Sequence, residues 1–305
     1  MSRIHEALKK AARERSTQLS AGTGRGAVEI AADIPRPVVV EASLPRLPEQ
    51  GRVAVAENQD GSPLQYEDLV KRCAHPTWRL NALSNVFQNA STGNGAAERF
   101  RTLRSRLFQS ATTRTLRRLL ITSSIAAEGK TFVASNLAQS IVQQPERRVL
   151  LIDADLRAPR LHLAFGAPRF PGLTDYLRGD TDEYNVIQKG MQENLCLIAA
   201  GNLVSKPSEL LLSERMTRLL DLVTPIFDWI IIDSPPALPV HDSSILAGLA
   251  DGVLLVLRAG VTPMAAAEKA AAEFKHKNLL GVIFNQVKKT DSYGEYEYHN
   301  RPETP

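Results

Sequence analysis

Residues 122–140 read TSSIAAEGKTFVASNLAQS, and their chemistry turns on Gly129, Lys130 and Thr131. In a phosphate-binding loop a glycine, four residues and then Gly-Lys-Ser/Thr wrap backbone N–H groups around phosphate oxygens, while the lysine neutralises their charge. Here Ser124 stands where the first glycine belongs; it can still turn the chain, and it adds a hydroxyl. Gly-Lys-Thr at a helix start is weak evidence alone, but this one directly follows the apolar run RRLLITS (117–123) and opens a helical stretch. A helix N-terminus so placed offers free N–H groups and the positive end of its dipole to an anion. The expected nucleotide-contacting set is Ser124, Ala127, Glu128, Gly129, Lys130, Thr131 and Phe132, with a capped structural helix as the competing reading.

Two further segments supply acids. RRVLLID (147–153) runs into Asp153-Ala154-Asp155-Leu156-Arg157, and DWIIID (228–233) into Asp233-Ser234-Pro235-Pro236. For a single Asp after a strand, a helix cap or a solvated turn is the better explanation. Carboxylates at two strand ends beside a phosphate loop point instead to the crevice where doubly wound sheets bind ligands. Magnesium takes hard oxygen ligands, keeps several waters and bridges β- and γ-phosphates, and Thr131, Asp153, Asp155 and Asp233 offer that donor set.

These groups need strands to carry them. From about residue 95 the chain alternates apolar runs of strand length (117–123, 147–153, 195–200, 228–233, 252–258, 280–286) with helical stretches (129–143, 208–223, 242–249, 263–277). The runs are rich in Leu, Ile and Val without polar alternation, as parallel strands covered on both faces require. The fold class expected is α/β: a doubly wound, mostly parallel sheet of the P-loop NTPase type over 91–290.

Upstream, residues 1–19 read as an amphipathic basic helix able to dock on a partner or on anionic lipid, and 20–90, rich in Pro, Gly, Ser and Glu, as a disordered linker. The 37 basic and 33 acidic residues leave a net charge of +4, too mild to argue for nucleic acid. No apolar run is long enough to span a bilayer and the N-terminus lacks a secretory signal, so a cytoplasmic protein is expected. The cysteines, Cys73 and Cys196, lie far apart with no CxxC, which indicates neither a disulfide framework nor structural zinc.

The ordered trio SSIAAEGKT, LLIDADLR and IIIDSP resembles the bacterial protein-tyrosine kinases (BY-kinases) of exopolysaccharide and capsule loci, over about residues 95 to 298. PGLTDYLRGD and KPSELLLSERM look like connecting segments of the same family, and MSRIHEALKKA is similar to the N-terminus of an exosortase-associated subgroup. The resemblance implies an ATP- and Mg²⁺-dependent autokinase. Lys130 would contact the β- and γ-phosphates and Thr131 the metal. Asp153, Asp155 and Asp233 would share the work of base and metal ligand, in an order left open, and Asn285, ending GVIFN, would contact adenine.

It also implies that Glu98, Arg101 and Arg104, matching an E-x-x-R-x-x-R motif, meet a neighbouring subunit of a ring; on a helix they span an arc of about 120°. The tail DSYGEYEYHNRPETP (291–305) would be flexible and would carry the phosphoacceptors Tyr293, Tyr296 and Tyr298, each entering the site of an adjacent subunit. A membrane-spanning chain-length determinant would be the activating partner and would hold the protein at the inner membrane. The rivals are a MinD/ParA-type ATPase, whose signature lysine is replaced here by Ile125, and a non-catalytic nucleotide-binding adaptor of an export complex.

Overall fold

The fold is that of a computed structural model, which describes residues 64–87, 94–190, 192 and 194–287. The chain forms α1 (Tyr66–Arg72), α2 (Asn94–Ala111), β1 (Arg118–Ser123), α3 (Lys130–Val142), β2 (Val149–Asp153), α4 (Leu161–Phe165), α5 (Leu173–Arg178) and α6 (Glu183–Val186). There follow β3 (Ile187–Lys189), β4 (Leu195–Ile198), α7 (Pro207–Leu211), α8 (Glu214–Val223), β5 (Trp229–Asp233), α9 (Asp242–Ala247), β6 (Gly252–Arg258), α10 (Met264–Glu273) and β7 (Leu279–Asn285).

The strands make one sheet in the order β3-β4-β2-β5-β1-β6-β7, parallel throughout except for the short antiparallel β3 at one edge. Successive side chains of a strand point to opposite faces. Leu120, Leu150, Ile152, Ile230 and Ile232 therefore join one core with Met216, Leu219, Leu220 and Val223 of α8. Leu119, Ile121, Val149, Leu151 and Ile231 join the other, with Val133, Leu137 and Ile141 of α3. Both faces being covered explains the unbroken apolar runs.

The expected helix over 208–223 is interrupted: Ser213 adopts an extended conformation (φ −67°, ψ 151°) between α7 and α8, which suits a residue before a helix start and ends the one before it. The expected linker over 20–90 does not extend over 64–87. Leu69 of α1 is fully buried, the Tyr66 ring meets Phe227 edge-on at 5.7 Å, and Trp78 meets Phe165 at 5.3 Å. Farther along, Asn136 of α3 accepts the Val86 N–H at 2.9 Å and donates to the Ser84 carbonyl at 2.8 Å. A few apolar anchors among polar neighbours carry no periodicity, and the surfaces they cover lie far away in sequence. The expected basic helix over 1–19, the rest of that linker up to residue 63, and the tail over 291–305 lie outside the described residues.

Candidate active site

Parallel pairing brings the acids together. Asp153 and Asp233 are the last residues of β2 and β5 and stand opposite one another in register, while Ile121 of β1 pairs with Asp233 on its other side. The loop after β5 is held to the loop after β1 by Ala237 N–H to the Ser123 carbonyl (2.7 Å) and Leu238 N–H to the Ser124 carbonyl (3.2 Å). Three loops thus converge at the C-terminal tips of the central strands, where open α/β sheets bind ligands.

Lys130, the first residue of α3, reaches into this point. Its Nζ lies 2.8 Å from Asp155 Oδ2 and 3.7 Å from Asp233 Oδ1, and it donates to Thr131 Oγ1 at 3.3 Å. Thr131 Oγ1 in turn donates to Asp233 Oδ2 at 2.7 Å. Burial alone would lower the lysine pKa, but the Asp233 and Asp155 carboxylates outweigh it and raise it, so the ammonium stays charged. Lys130, Thr131, Asp155 and Asp233 form one connected cluster.

Asp153 is part of the same point but is bonded differently. Its Oδ2 accepts the Leu161 N–H at 3.0 Å, at the start of α4, which is the capping role an isolated Asp would have. Its Oδ1 is buried and has no hydrogen-bond partner among the described residues, and the same holds for Asp233 Oδ1. Burial, then the adjacent Asp233 charge, push the Asp153 carboxyl up to about 8. Asp233 is also raised by burial, but Lys130 and the Thr131 hydroxyl hold it back, to about 6. Of this coupled pair Asp153, the member farther from the cation, is raised the more.

The phosphate-type loop is braced from inside. Glu128 is buried, and Ser124 Oγ lies 2.9 Å from both of its carboxylate oxygens. The Ile125 N–H donates to Glu128 at 2.8 Å, and the Thr262 hydroxyl donates to it as well. What Ser124 and Glu128 can offer a ligand is therefore their backbone. Ala127 (φ 64°) and Gly129 (φ 92°) take left-handed conformations that tighten the turn into α3. The Asn285 Nδ2 donates to the Glu128 carbonyl at 2.9 Å, so Asn285 touches the loop itself. The Phe132 side chain turns away and packs edge-on against Phe100 of α2 at 5.9 Å.

Thr262 had no signal in the sequence: a lone threonine between β6 and α10 is tied to the loop only by the adjacency of β1 and β6. Of the three residues expected at a subunit contact, Glu98 and Arg101 form a half-exposed ion pair at 3.1 Å. The half-buried Arg104 donates its guanidinium to the Ser140 carbonyl of α3 at 2.6 Å inside the same chain. Six residues past Glu98, the helical turn carries it to the edge that packs on α3. Tyr293, Tyr296 and Tyr298 lie outside the described residues. Among the described residues no group of three or more His, Cys, Asp or Glu side chains makes a ready-made metal cage.

Comparison with known proteins agrees with this geometry. Residues 126–275 match the family model described as an AAA domain. The tyrosine-protein kinase YwqD of Bacillus subtilis is 37% identical over 206 residues, 67% of this chain and 86% of YwqD. The solved kinase domain of the Escherichia coli tyrosine kinase ETK superimposes with a TM-score of 0.64 at 32% identity, covering 77% of this chain and 92% of that domain. Against the whole Etk protein of Escherichia coli K12, however, the chain spans only 24% of the length. The cell-division ATPase MinD of Pyrococcus furiosus, at 24% identity and a TM-score of 0.50, shares the fold alone. Loop, paired strand-end acids and kinase relatives lead to one assignment: this chain belongs to the bacterial tyrosine-protein kinase family.

Proposed function

We propose that this protein is an ATP-dependent tyrosine autokinase that phosphorylates Tyr293, Tyr296 and Tyr298 in the tails of neighbouring copies and so regulates exopolysaccharide or capsule polymerisation and export. The observation that carries the reading is the Lys130 ammonium held between Asp155 and Asp233 at the mouth of a phosphate-type loop. Phosphoryl transfer asks for positioning and charge neutralisation more than for covalent chemistry, and this cluster provides both.

The residues fit a magnesium nucleotide. Among the described residues one buried oxygen of Asp153 and one of Asp233 lack hydrogen-bond partners, and the Thr131 hydroxyl bonds to the other oxygen of Asp233. Magnesium arriving with the triphosphate needs one or two protein oxygens rather than a finished cage, and when bound it screens the phosphate charge. In this reading Thr131, Asp155 and Asp233 hold the ion, directly or through water. Lys130 moves its ammonium from Asp155 to the β- and γ-phosphate oxygens, and the N–H groups opening α3 take the remaining phosphate contacts. Asp153 accepts the proton of the incoming tyrosine hydroxyl in its ionised form, which a pKa of about 8 makes the minor form at neutral pH and the more basic one. Asn285, against the loop, borders the base.

A ring of identical subunits, with Glu98, Arg101 and Arg104 at the contact, belongs to the same reading, as does activation by a membrane-spanning chain-length determinant that keeps the protein at the inner membrane. Among the described residues no helix is long and apolar enough to cross a membrane. The test is to incubate the purified full-length chain with Mg²⁺ and ATP, alone and with that partner, and to map tyrosine phosphate by mass spectrometry beside Lys130→Met. Phosphate on the tail tyrosines that Lys130→Met loses is the expected result. Phosphate release without labelled tyrosine would make the chain a positioning ATPase, and nucleotide binding without turnover would make it an adaptor.

A further inference from the structure

Arg157, two residues beyond Asp155, makes a fork-shaped contact away from the candidate site. Its Nε donates to Asp242 Oδ2 at 2.7 Å, and one terminal nitrogen donates to Asp242 Oδ1 at 3.1 Å and to Ser208 Oγ at 3.0 Å. The Ser208 hydroxyl also lies 2.6 Å from Asp242 Oδ1. The Asp242 side chain is fully buried, and although burial opposes its charge, the Arg157 and Ser208 bonds prevail and hold its pKa below the ordinary value. Solvated ion pairs contribute little, but a bidentate arginine on a buried carboxylate fixes geometry.

The two partners sit on the two loops that matter. Arg157 belongs to the irregular stretch between β2 and α4, whose own bonds hold acids of the site: the Ala158 N–H donates to Asp155 Oδ1 at 3.0 Å and the Leu161 N–H to Asp153 Oδ2 at 3.0 Å. Asp242 ends the loop that begins at Asp233 and enters α9. Near the strands these loops are already joined, since the Ala154 N–H donates to the Asp233 carbonyl at 2.8 Å. The Arg157–Asp242 fork closes their far ends, and Ser208 ties both to α7.

We propose that Arg157, held by Asp242 and Ser208, is a positioning residue: it locks the Asp155 loop to the Asp233 loop and so sets the spacing of the two carboxylates that flank Lys130. This rests on the kinase reading for its effect on turnover, though not for its effect on the metal site. Arg157 touches no reacting atom; it acts through the loop. A displacement of about 1 Å at such a centre can slow a reaction about 100-fold.

The experiment uses the full-length protein with Arg157→Met, Arg157→Lys, Asp242→Asn and the Arg157→Met/Asp242→Asn pair. Turnover is read as tyrosine phosphate. Independently, the Mg²⁺ concentration giving half-maximal binding of a fluorescent ATP analogue is measured, with thermal unfolding recorded for each variant. Arg157→Met is expected to lower kcat by about 30-fold with KM for ATP within about threefold, and to raise the Mg²⁺ midpoint about tenfold. Arg157→Lys, which keeps the charge but not the fork, falls between, and the double variant is no worse than the more affected single, as expected of one shared contact. Arg157→Met with kcat and Mg²⁺ midpoint within about twofold of wild type overturns the proposal. So does a loss that merely follows the unfolded fraction while the folded remainder keeps the normal midpoint. If the wild type labels no tyrosine, the kinase reading fails, and the Mg²⁺ midpoint alone decides the positioning role.

Discussion

Asp153 and Asp233 end adjacent parallel strands in register with both side chains completely buried, and of the two it is Asp233 that pairs with the Lys130 ammonium, at 3.7 Å. Neighbouring buried acids cannot both ionise cheaply. Lys130 lies close to Asp233 and favours its charge, so the cost of burial raises the Asp153 carboxyl more.

A pH dependence follows for Asp153. Its folded pKa, about 8, lies above the ordinary value of 3.8, so the folded state binds the proton more tightly than the unfolded one. The stability this confers is complete below the unfolded pKa and is lost as pH rises through the folded one. Without metal, Asp153→Asn should therefore raise Tm relative to wild type at pH above 8, and the difference should close as pH falls towards 4. Differential scanning calorimetry across that range checks it; a difference independent of pH would contradict the assignment. Asn retains an acceptor for the Leu161 N–H, so folding is preserved.

Lys130→Met should abolish tyrosine phosphorylation and also weaken the metal-free fold. It leaves Asp155 and Asp233 buried beside no cation, a loss of about 3 kcal/mol for a broken buried pair. Urea unfolding at neutral pH measures this. An unchanged midpoint would mean that the cluster is open to solvent.

Gly129→Ala should weaken nucleotide binding. The position has φ 92°, and a Cβ there would stand 2.0 Å from Asn285 Nδ2. The left-handed backbone alone costs about 1 kcal/mol for a non-glycine residue. Removing the obstructing amide in Gly129→Ala/Asn285→Ala should restore part of the affinity lost by Gly129→Ala, measured by calorimetric titration with ATP. If the second substitution only adds to the first, the two residues do not contend for the same space.

Leu69→Ala tests the segment before the sheet. Leu69 is fully buried among core residues, so the substitution should destabilise the protein by about 2–5 kcal/mol in denaturant titration. A change near zero would return residues 64–87 to the linker.

The strands and the acids at their ends were legible in the sequence because both carry local signals. A buried parallel strand has no polar alternation, and Asp153 and Asp233 each terminate such a run. The span Gly252–Arg258 matches its apolar run residue for residue. The loop at Gly129-Lys130-Thr131 was legible by its spacing, and by lying between a strand and a helix.

Pairing was not legible. Nothing local says that β5 lies between β1 and β2, yet that order places Asp233 opposite Asp153 and within reach of Thr131. Nor does composition reveal that Ser135, Asn136, Gln139 and Ser140 of α3 are buried, since their cover comes from α2 and from the segment around Ser84. Arg104 reads as a surface charge and bonds inward, and Ser124 reads as a phosphate contact and bonds to Glu128. Residue type and spacing determine which groups are available; which of them meet is decided by contacts between segments distant in the chain, and those exist only once the sheet has formed.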